Sequence, residues 1–151
     1  MTDIAQIASL LRARAAAAGR TIVALAGPPG AGKSEMSARL AAMLPAGEAA
    51  VMPMDGFHFD NAVLAAMGLR DRKGAPETFD CEGFEATLRR IRAGDAAVAV
   101  PLFDREADLA RAGAAIIPAG VPVVLVEGNY LLLDREPWTR LAPLFDLKIF
   151  I

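Results

Sequence analysis

Residues Gly27, Pro28, Pro29, Gly30, Ala31, Gly32, Lys33 and Ser34 match the pattern G-x-x-x-x-G-K-[ST] in full. That spacing makes a phosphate-binding loop. Glycines let the backbone approach phosphate oxygens without a Cβ, and successive N–H groups turn inward to meet them. Lys33 would reach the β- and γ-phosphates, and the Ser34 hydroxyl would take one position on Mg²⁺. With Glu35 opening the helix beyond, Gly27 to Glu35 is the candidate ATP-binding segment, and ATP and Mg²⁺ are the implied cofactors.

The loop needs a rigid element on each side. Thr21–Ala26 is a short apolar run with β-branched residues, as a buried strand requires. Ser34 to Leu44 carries good helix formers with no internal Gly or Pro. The helix N-terminus that follows the loop favours an anion through its dipole and unpaired N–H groups.

Two further strand ends carry carboxylates. Ala49 to Met54 reads as a strand that ends at Asp55-Gly56, and Pro122 to Val126 as one that ends at Glu127. Ligands bind at the C-terminal ends of the strands of an open parallel sheet, so both acids are expected beside the phosphate loop. Glu127 fits the acidic partner of Mg²⁺, directly or through water, or else a strand-end carboxylate hydrogen-bonded to the next turn. Asp55 suits a catalytic base working with Lys33 on a hydroxyl acceptor; a Mg²⁺-water ligand and a turn-capping Asp are the open alternatives. His58 is the only histidine, which disfavours a metal site built on it and leaves substrate contact or a plain surface position.

The remaining chain alternates helix and strand. A first helix is expected from the spacing of Ile4, Ile7, Ala8, Leu11 and Ala15, with Gly19 at its C-cap. Asn61 to Met67 reads as a short helix ended by Gly68, and Leu69 to Thr78 as a charged loop. A helix capped by Asp80 or Thr78 runs to about Ala93 with Phe84, Leu88 and Ile91 inward. Ala97 to Val100 is expected to be a brief strand stopped by Pro101, and Leu102 to Gly113 a loop. Trp138 to Leu141 forms a short helix and Asp146 to Ile151 the last strand. This order predicts an α/β fold of the P-loop NTPase type, a parallel sheet with helices on both faces, in a single domain spanning residues 1–151.

Composition narrows the function classes. The chain has 151 residues, 16 basic and 18 acidic, for a net charge of −2, which gives no electrostatic case for nucleic acid. No apolar stretch reaches the length of a membrane span. Cys81 is the sole cysteine, so no internal disulfide forms and a reducing, cytoplasmic setting fits. The oligomeric state is not encoded legibly.

The ordered motifs G-P-P-G-A-G-K-S, D-G-F-H (Asp55 to His58), R-K-G-A-P-E-T-F-D (Arg72 to Asp80), P-L-F-D-R-E (Pro101 to Glu106) and V-L-V-E-G-N-Y (Val124 to Tyr130) resemble those of the P-loop kinases that include uridine kinase, phosphoribulokinase and bacterial pantothenate kinase. They come closest to the branch often labelled fructose transport system kinase or nucleoside/nucleotide kinase-like. The resemblance runs from about Ile22 to Ile151. It implies Asp55 as the base near the acceptor hydroxyl and Glu127 as the strand-end acid. It also implies a substrate side drawn from His58, Arg72, Lys73, Phe79, Phe103, Asp104, Arg105, Asn129 and Tyr130. Uridine kinases have Asp-Ser-Phe-Tyr where this chain has Asp55 to His58, and Tyr where it has Phe103, which weakens a nucleoside reading. The family's arginine-bearing lid follows the strand that here reaches Ile151, so lid and closing helices are expected after that residue.

These readings converge on an ATP-dependent kinase of a small hydroxyl compound. A nucleotide-binding regulatory or transport-associated ATPase is the alternative. The acceptor side mixes Asp55, Glu77, Asp80 and Asp104 with Arg70, Arg72, Lys73 and Arg105. That mixture ranks a sugar-like alcohol first, a nucleoside second, with Phe103 as its flat face, and a pantothenate-like acid third.

Overall fold

The computed structural model describes residues 3–151. Its centre is a four-stranded parallel sheet in the order β2-β5-β1-β6, formed by β1 (Thr21–Ala26), β2 (Ala49–Pro53), β5 (Val123–Gly128) and β6 (Leu147–Phe150). Every residue of β1 and β5 is buried. The adjacent apolar runs 22–26 and 123–126 are what a sheet covered on both faces demands.

Strand alternation divides the core in two. On one face Ile22, Ala24, Met52, Val124 and Val126 pack with Phe84, Leu88 and Ile91 of α4 (Cys81–Ala93) and with Trp138. On the other, Val23, Leu25 and Leu125 pack with Leu11 of α1 (Ile4–Ala18) and Leu40 of α2 (Lys33–Ala42). Caps fall where the side chains dictate. Asp80 accepts from the Gly83 amide at 2.9 Å to start α4. Asp60 and Gly68 bracket α3 (Asn61–Met67). Gly19 and Gly94 end α1 and α4 with positive φ.

Partly exposed polar cross-links tie the layers together. The Asp146 carboxylate, at the start of β6, accepts from the Ile22 amide at 2.8 Å and from Arg92 of α4 at 2.7 Å. Arg20 donates to three backbone carbonyls, those of Ile91, Val121 and Pro118. One guanidinium thereby closes the C-terminal end of α4 against the approach to β5.

The segment expected to be a loop is a hairpin. β3 (Val98–Asp104) and β4 (Leu109–Ile117) pair antiparallel as a separate two-stranded sheet. Pro101 does not stop the strand. The register shifts between Val100 and Leu102, so the missing proline N–H falls in an irregularity of the ladder. Arg111, Ala112, Gly113 and Ala114 of β4 are exposed, so this strand lacks the buried apolar alternation by which a strand is read. Two smaller differences follow local sterics. The second strand ends at Pro53, and a 3₁₀ turn carries Met54–Phe57. The helix at Trp138 continues as 3₁₀ through Pro143 to Leu144.

The hairpin lies directly on the 3₁₀ turn. A Cβ added at Gly56 would stand 2.7 Å from the Pro101 carbonyl carbon and 3.1 Å from the Leu102 nitrogen, closer still to the Pro101 oxygen. The Asp-Gly-Phe turn therefore needs glycine for contact with backbone, which cannot move aside as a side chain could. Gly56→Ala is expected to lower unfolding free energy by about 2 kcal/mol through forced separation of hairpin and turn. Urea denaturation checks this, and an unchanged midpoint would contradict the close approach.

Candidate active site

The C-terminal ends of β1, β2 and β5 open on one cleft of about 390 Å³, lined by Pro29, Gly30, Gly32, Lys33, Ser34, Glu35, Asp55, Arg105, Glu127 and Asn129 among others. The phosphate loop forms one wall. Gly32 takes φ 90°, left-handed, and α2 starts at the next residue. The Ala31 amide donates to the Pro28 carbonyl at 3.2 Å, tightening the turn. Lys33 folds back on the same carbonyl, Nζ to O 2.8 Å. Gly27 lies where β1 passes the end of β6, and a Cβ there would meet the Ile151 carbonyl oxygen at 2.8 Å.

Glu127 forms the floor. It is 9% exposed and sits at the end of the central strand β5. Ser34 Oγ donates to Oε1 at 2.8 Å, and Ser37 Oγ donates to Oε2. Ser37 was not anticipated from the sequence. It lies three residues after Ser34, so both hydroxyls leave α2 on the same side. Ser34 and Glu127 present hard oxygens side by side, a donor set that suits Mg²⁺.

Asp55 stands on the far wall, raised by the 3₁₀ turn after β2. Its carboxylate lies 3.8 Å from the guanidinium of Arg105, which extends from the hairpin tip. The Asp55 carbonyl contacts His58 Nδ1 at 2.8 Å. The His58 ring lies 4.0 Å from that of Phe79 and 4.7 Å from that of Phe103, centroid to centroid. His58 thus joins the 3₁₀ turn, the R-K-G-A-P-E-T-F-D segment and the hairpin.

The other expected substrate residues have partners within the protein. Asp104 takes both Arg111 Nε at 2.9 Å and Nη2 at 2.7 Å. Arg72 and Arg135 both pair with Glu77. Tyr130 donates to the Gly74 carbonyl at 2.6 Å. Burial, then the nearby Glu77 charge, pushes the Tyr130 phenol above its ordinary range. Phe79 is buried between His58, Tyr130 and Trp138. Of the nine residues assigned to the substrate side, Arg105 and Asn129 line the cleft with the phosphate loop.

Lys73 is part of a clasp. Its ammonium donates to Asp108 Oδ1 at 2.7 Å, to the Asp108 carbonyl at 3.2 Å and to Asn61 Oδ1 at 2.7 Å, and lies 5.1 Å from the Phe103 ring centroid. Asn61 completes the ring by donating to Asp108 Oδ2 at 3.0 Å. Asp108 holds φ 54°, the only positive φ outside glycine among the described residues. The clasp thus fixes a turn that the backbone would not choose, and that turn carries Arg105. Asn61 and Asp108 were not anticipated, because their partners are 47 residues apart in the chain.

The sequence matches the Phosphoribulokinase / Uridine kinase family over residues 22–151. Among curated proteins it is similar to the uncharacterized Escherichia coli protein YggC, 44% identical over 138 residues, covering 87% of this chain and 56% of that protein. It is also similar to a pantothenate kinase of Limosilactobacillus reuteri, 30% identical over 86% of this chain and 44% of that enzyme. The chain spans about half the length of the curated relatives it matches. Among solved structures, a "putative fructose transport system kinase" from Silicibacter sp. TM1040 superimposes with a TM-score of 0.86 at 44% identity, covering 99% of this chain and 74% of that one.

The clasp has a titration signature. The hydrogen bond from Lys73, then that from Asn61, holds the Asp108 carboxyl below the ordinary aspartate range. Its contribution is therefore complete above that range and is lost as pH falls through the lowered value. A ¹³C NMR titration should give Asp108 a midpoint below about 3.9, the reference value, moving upward in Lys73→Met. An unshifted midpoint in both proteins would show that the clasp does not form in solution.

Proposed function

The chain belongs to the phosphoribulokinase/uridine kinase family, and from that premise we propose that it is an ATP-dependent kinase that transfers the γ-phosphoryl group to a hydroxyl of a small molecule. The observation that carries this reading is the meeting of two walls in one cleft. Lys33, Ser34 and Glu127 lie on the phosphate side, with Asp55 and Arg105 opposite. A protein that only bound or hydrolysed ATP would not need a carboxylate and a guanidinium held across from its phosphate loop.

In this reading the loop amides and Lys33 hold the triphosphate. Ser34 and Glu127 hold Mg²⁺, which when bound neutralises charge on the phosphates. Asp55 accepts the acceptor's hydroxyl proton as that oxygen bonds to the γ-phosphorus, and the bond from phosphorus to the bridging oxygen breaks to release ADP. The 38% exposure of the Asp55 side chain leaves it open to a substrate hydroxyl. Arg105 is 85% exposed with its nearest acid 3.8 Å away, which leaves it available to an oxygen of the acceptor or of the transferring group.

The charge mixture that favoured a sugar is largely consumed in internal ion pairs, and so gives less support to that ranking than the sequence suggested. The nucleoside reading weakens too, because Phe103 already packs on His58 and beneath Lys73. A small polar alcohol, sugar-like in its hydroxyls, fits the cleft residues Asp55, Arg105 and Asn129. Cys81 is the sole cysteine and is buried and unpaired, which is compatible with a reducing compartment such as the cytoplasm.

Two measurements bear on this proposal. An ADP-release assay against hexoses, pentoses, nucleosides and pantothenate should show saturable activity on a small non-nucleoside alcohol. Activity on uridine or cytidine alone would reverse the order, and steady ATP hydrolysis with no alcohol dependence would favour the ATPase alternative. In the same assay, Asp55→Asn should lose turnover by about a hundredfold or more while calorimetry finds ATP binding intact. Full turnover in that variant would remove Asp55 from the role of base.

A further inference from the structure

We infer that Ser37 is a positioning residue for the Mg²⁺ site, acting through Glu127. The inference rests on the kinase reading above only in taking Glu127 and Ser34 as the metal side of the cleft. Ser37 is 2% exposed and belongs to neither the phosphate-loop motif nor the cleft wall. Its hydroxyl nevertheless reaches the one acid buried among the described residues.

The argument turns on how many hydrogen bonds each group can make. Ser37 Oγ lies 3.0 Å from the Ser34 carbonyl and in hydrogen-bond contact with Glu127 Oε2. A hydroxyl has one proton to give. The carboxylate is the stronger acceptor, so the proton goes there, and the back-bond to the helix is the weaker contact. Oε2 is thereby fixed. Oε1 receives the Ser34 hydroxyl at 2.8 Å. When Ser34 turns a lone pair toward a cation, its proton still needs an acceptor, and Oε1 is in place to be one. The two serines thus hold one carboxylate as a fork holds a bar. Without Ser37, the Glu127 side chain could rotate about its terminal bond, a broad torsion, and carry Oε1 away from Ser34.

Second contacts of this kind set the orientation and basicity of metal-binding groups, and their loss costs roughly 10–100-fold in metal affinity where measured. The same order is expected here. It should appear in the Mg²⁺-dependent part of nucleotide affinity, while metal-free binding, which uses Lys33 and loop amides, stays as it is.

The test is calorimetry of ATP binding in MgCl₂ and in EDTA. It uses the unsubstituted protein, Ser37→Ala, Ser37→Thr, Glu127→Gln and the double variant Ser37→Ala/Glu127→Gln. The gain in affinity on adding Mg²⁺ should fall about tenfold in Ser37→Ala and return in Ser37→Thr, which restores the hydroxyl. Adding Ser37→Ala to Glu127→Gln should cost little more than Glu127→Gln alone, since both act through one carboxylate. An undiminished Mg²⁺ gain in Ser37→Ala overturns the inference. So does an equal loss of affinity with and without Mg²⁺, which marks Ser37 as packing alone. Should Ser37→Ala not fold, Ser37→Cys, close in size but only a weak donor, decides in its place: a reduced Mg²⁺ gain with metal-free affinity unchanged supports the role, and an undiminished gain overturns it. A full Mg²⁺ gain in Glu127→Gln would instead sink the assignment of Glu127 to the metal, a result separable from any failure at Ser37.

Discussion

A single buried acid organises this molecule. Among the described residues, Glu127 is the only buried carboxylate; the other buried polar side chains are Thr21, Ser37 and Thr78. A carboxylate taken from water costs several kcal/mol unless its oxygens are hydrogen-bonded. Both oxygens are, and both donors come from α2. That requirement sets the register of α2 against β5. The helix must begin at Lys33 for Ser34 and Ser37 to face the end of the strand, and the glycine turn must be tight enough to allow it. The phosphate loop is shaped by its glycines and also by what lies under it.

The second constraint is the contact between hairpin and Asp-Gly-Phe turn. The hairpin does not join the main sheet. It is held by Gly56 beneath Pro101, by the stack of His58 on Phe103, and by the clasp of Lys73 and Asn61 on Asp108. Each is a contact between distant segments, and together they carry Arg105 to within 3.8 Å of Asp55. The one ion pair among them, Lys73 with Asp108, keeps its carboxylate half open to solvent and contributes modestly to stability. The effect of these contacts is geometric, since they choose one orientation of a two-stranded element that could not stand alone.

How far the sequence could be read follows from the range of the forces involved. β1 and β5 were legible because a fully buried strand writes its burial into unbroken apolar runs. The phosphate loop was legible because backbone geometry demands glycine at fixed offsets. Asp80, Gly19 and Gly68 were readable as caps because capping is a local contact. The hairpin was not legible: β4 is exposed along much of one side and its residues follow no burial pattern, while Pro101 reads as a breaker until the ladder is seen to shift around it. Ser37 and Asp108 were invisible for another reason. A serine in a helix and an aspartate in a polar stretch are unremarkable until the fold brings partners 90 and 35 residues away to them.

The same reasoning changes what charge composition can say about a substrate. Seen along the chain, Asp55, Glu77, Asp80 and Asp104 with Arg70, Arg72, Lys73 and Arg105 look like a surface prepared for a polyhydroxy compound. In the fold, Glu77 is taken by Arg72 and Arg135, Asp108 by Lys73 and Arg70, and Asp104 by Arg111. An acid already paired at short range offers a ligand only what its partner leaves, and breaking the pair costs the ligand part of what it gains. In the proposed reading, recognition would then fall to Asp55 and Arg105, 3.8 Å apart, and to Asn129 just after β5. A ligand entering between Asp55 and Arg105 replaces a weak contact with two stronger ones, donating to the carboxylate and accepting from the guanidinium. A hydroxyl placed beside a second oxygen satisfies both demands at once. In the proposed kinase reading, the acceptor would therefore be selected by the few polar groups of the cleft that the fold leaves without a close partner among the described residues.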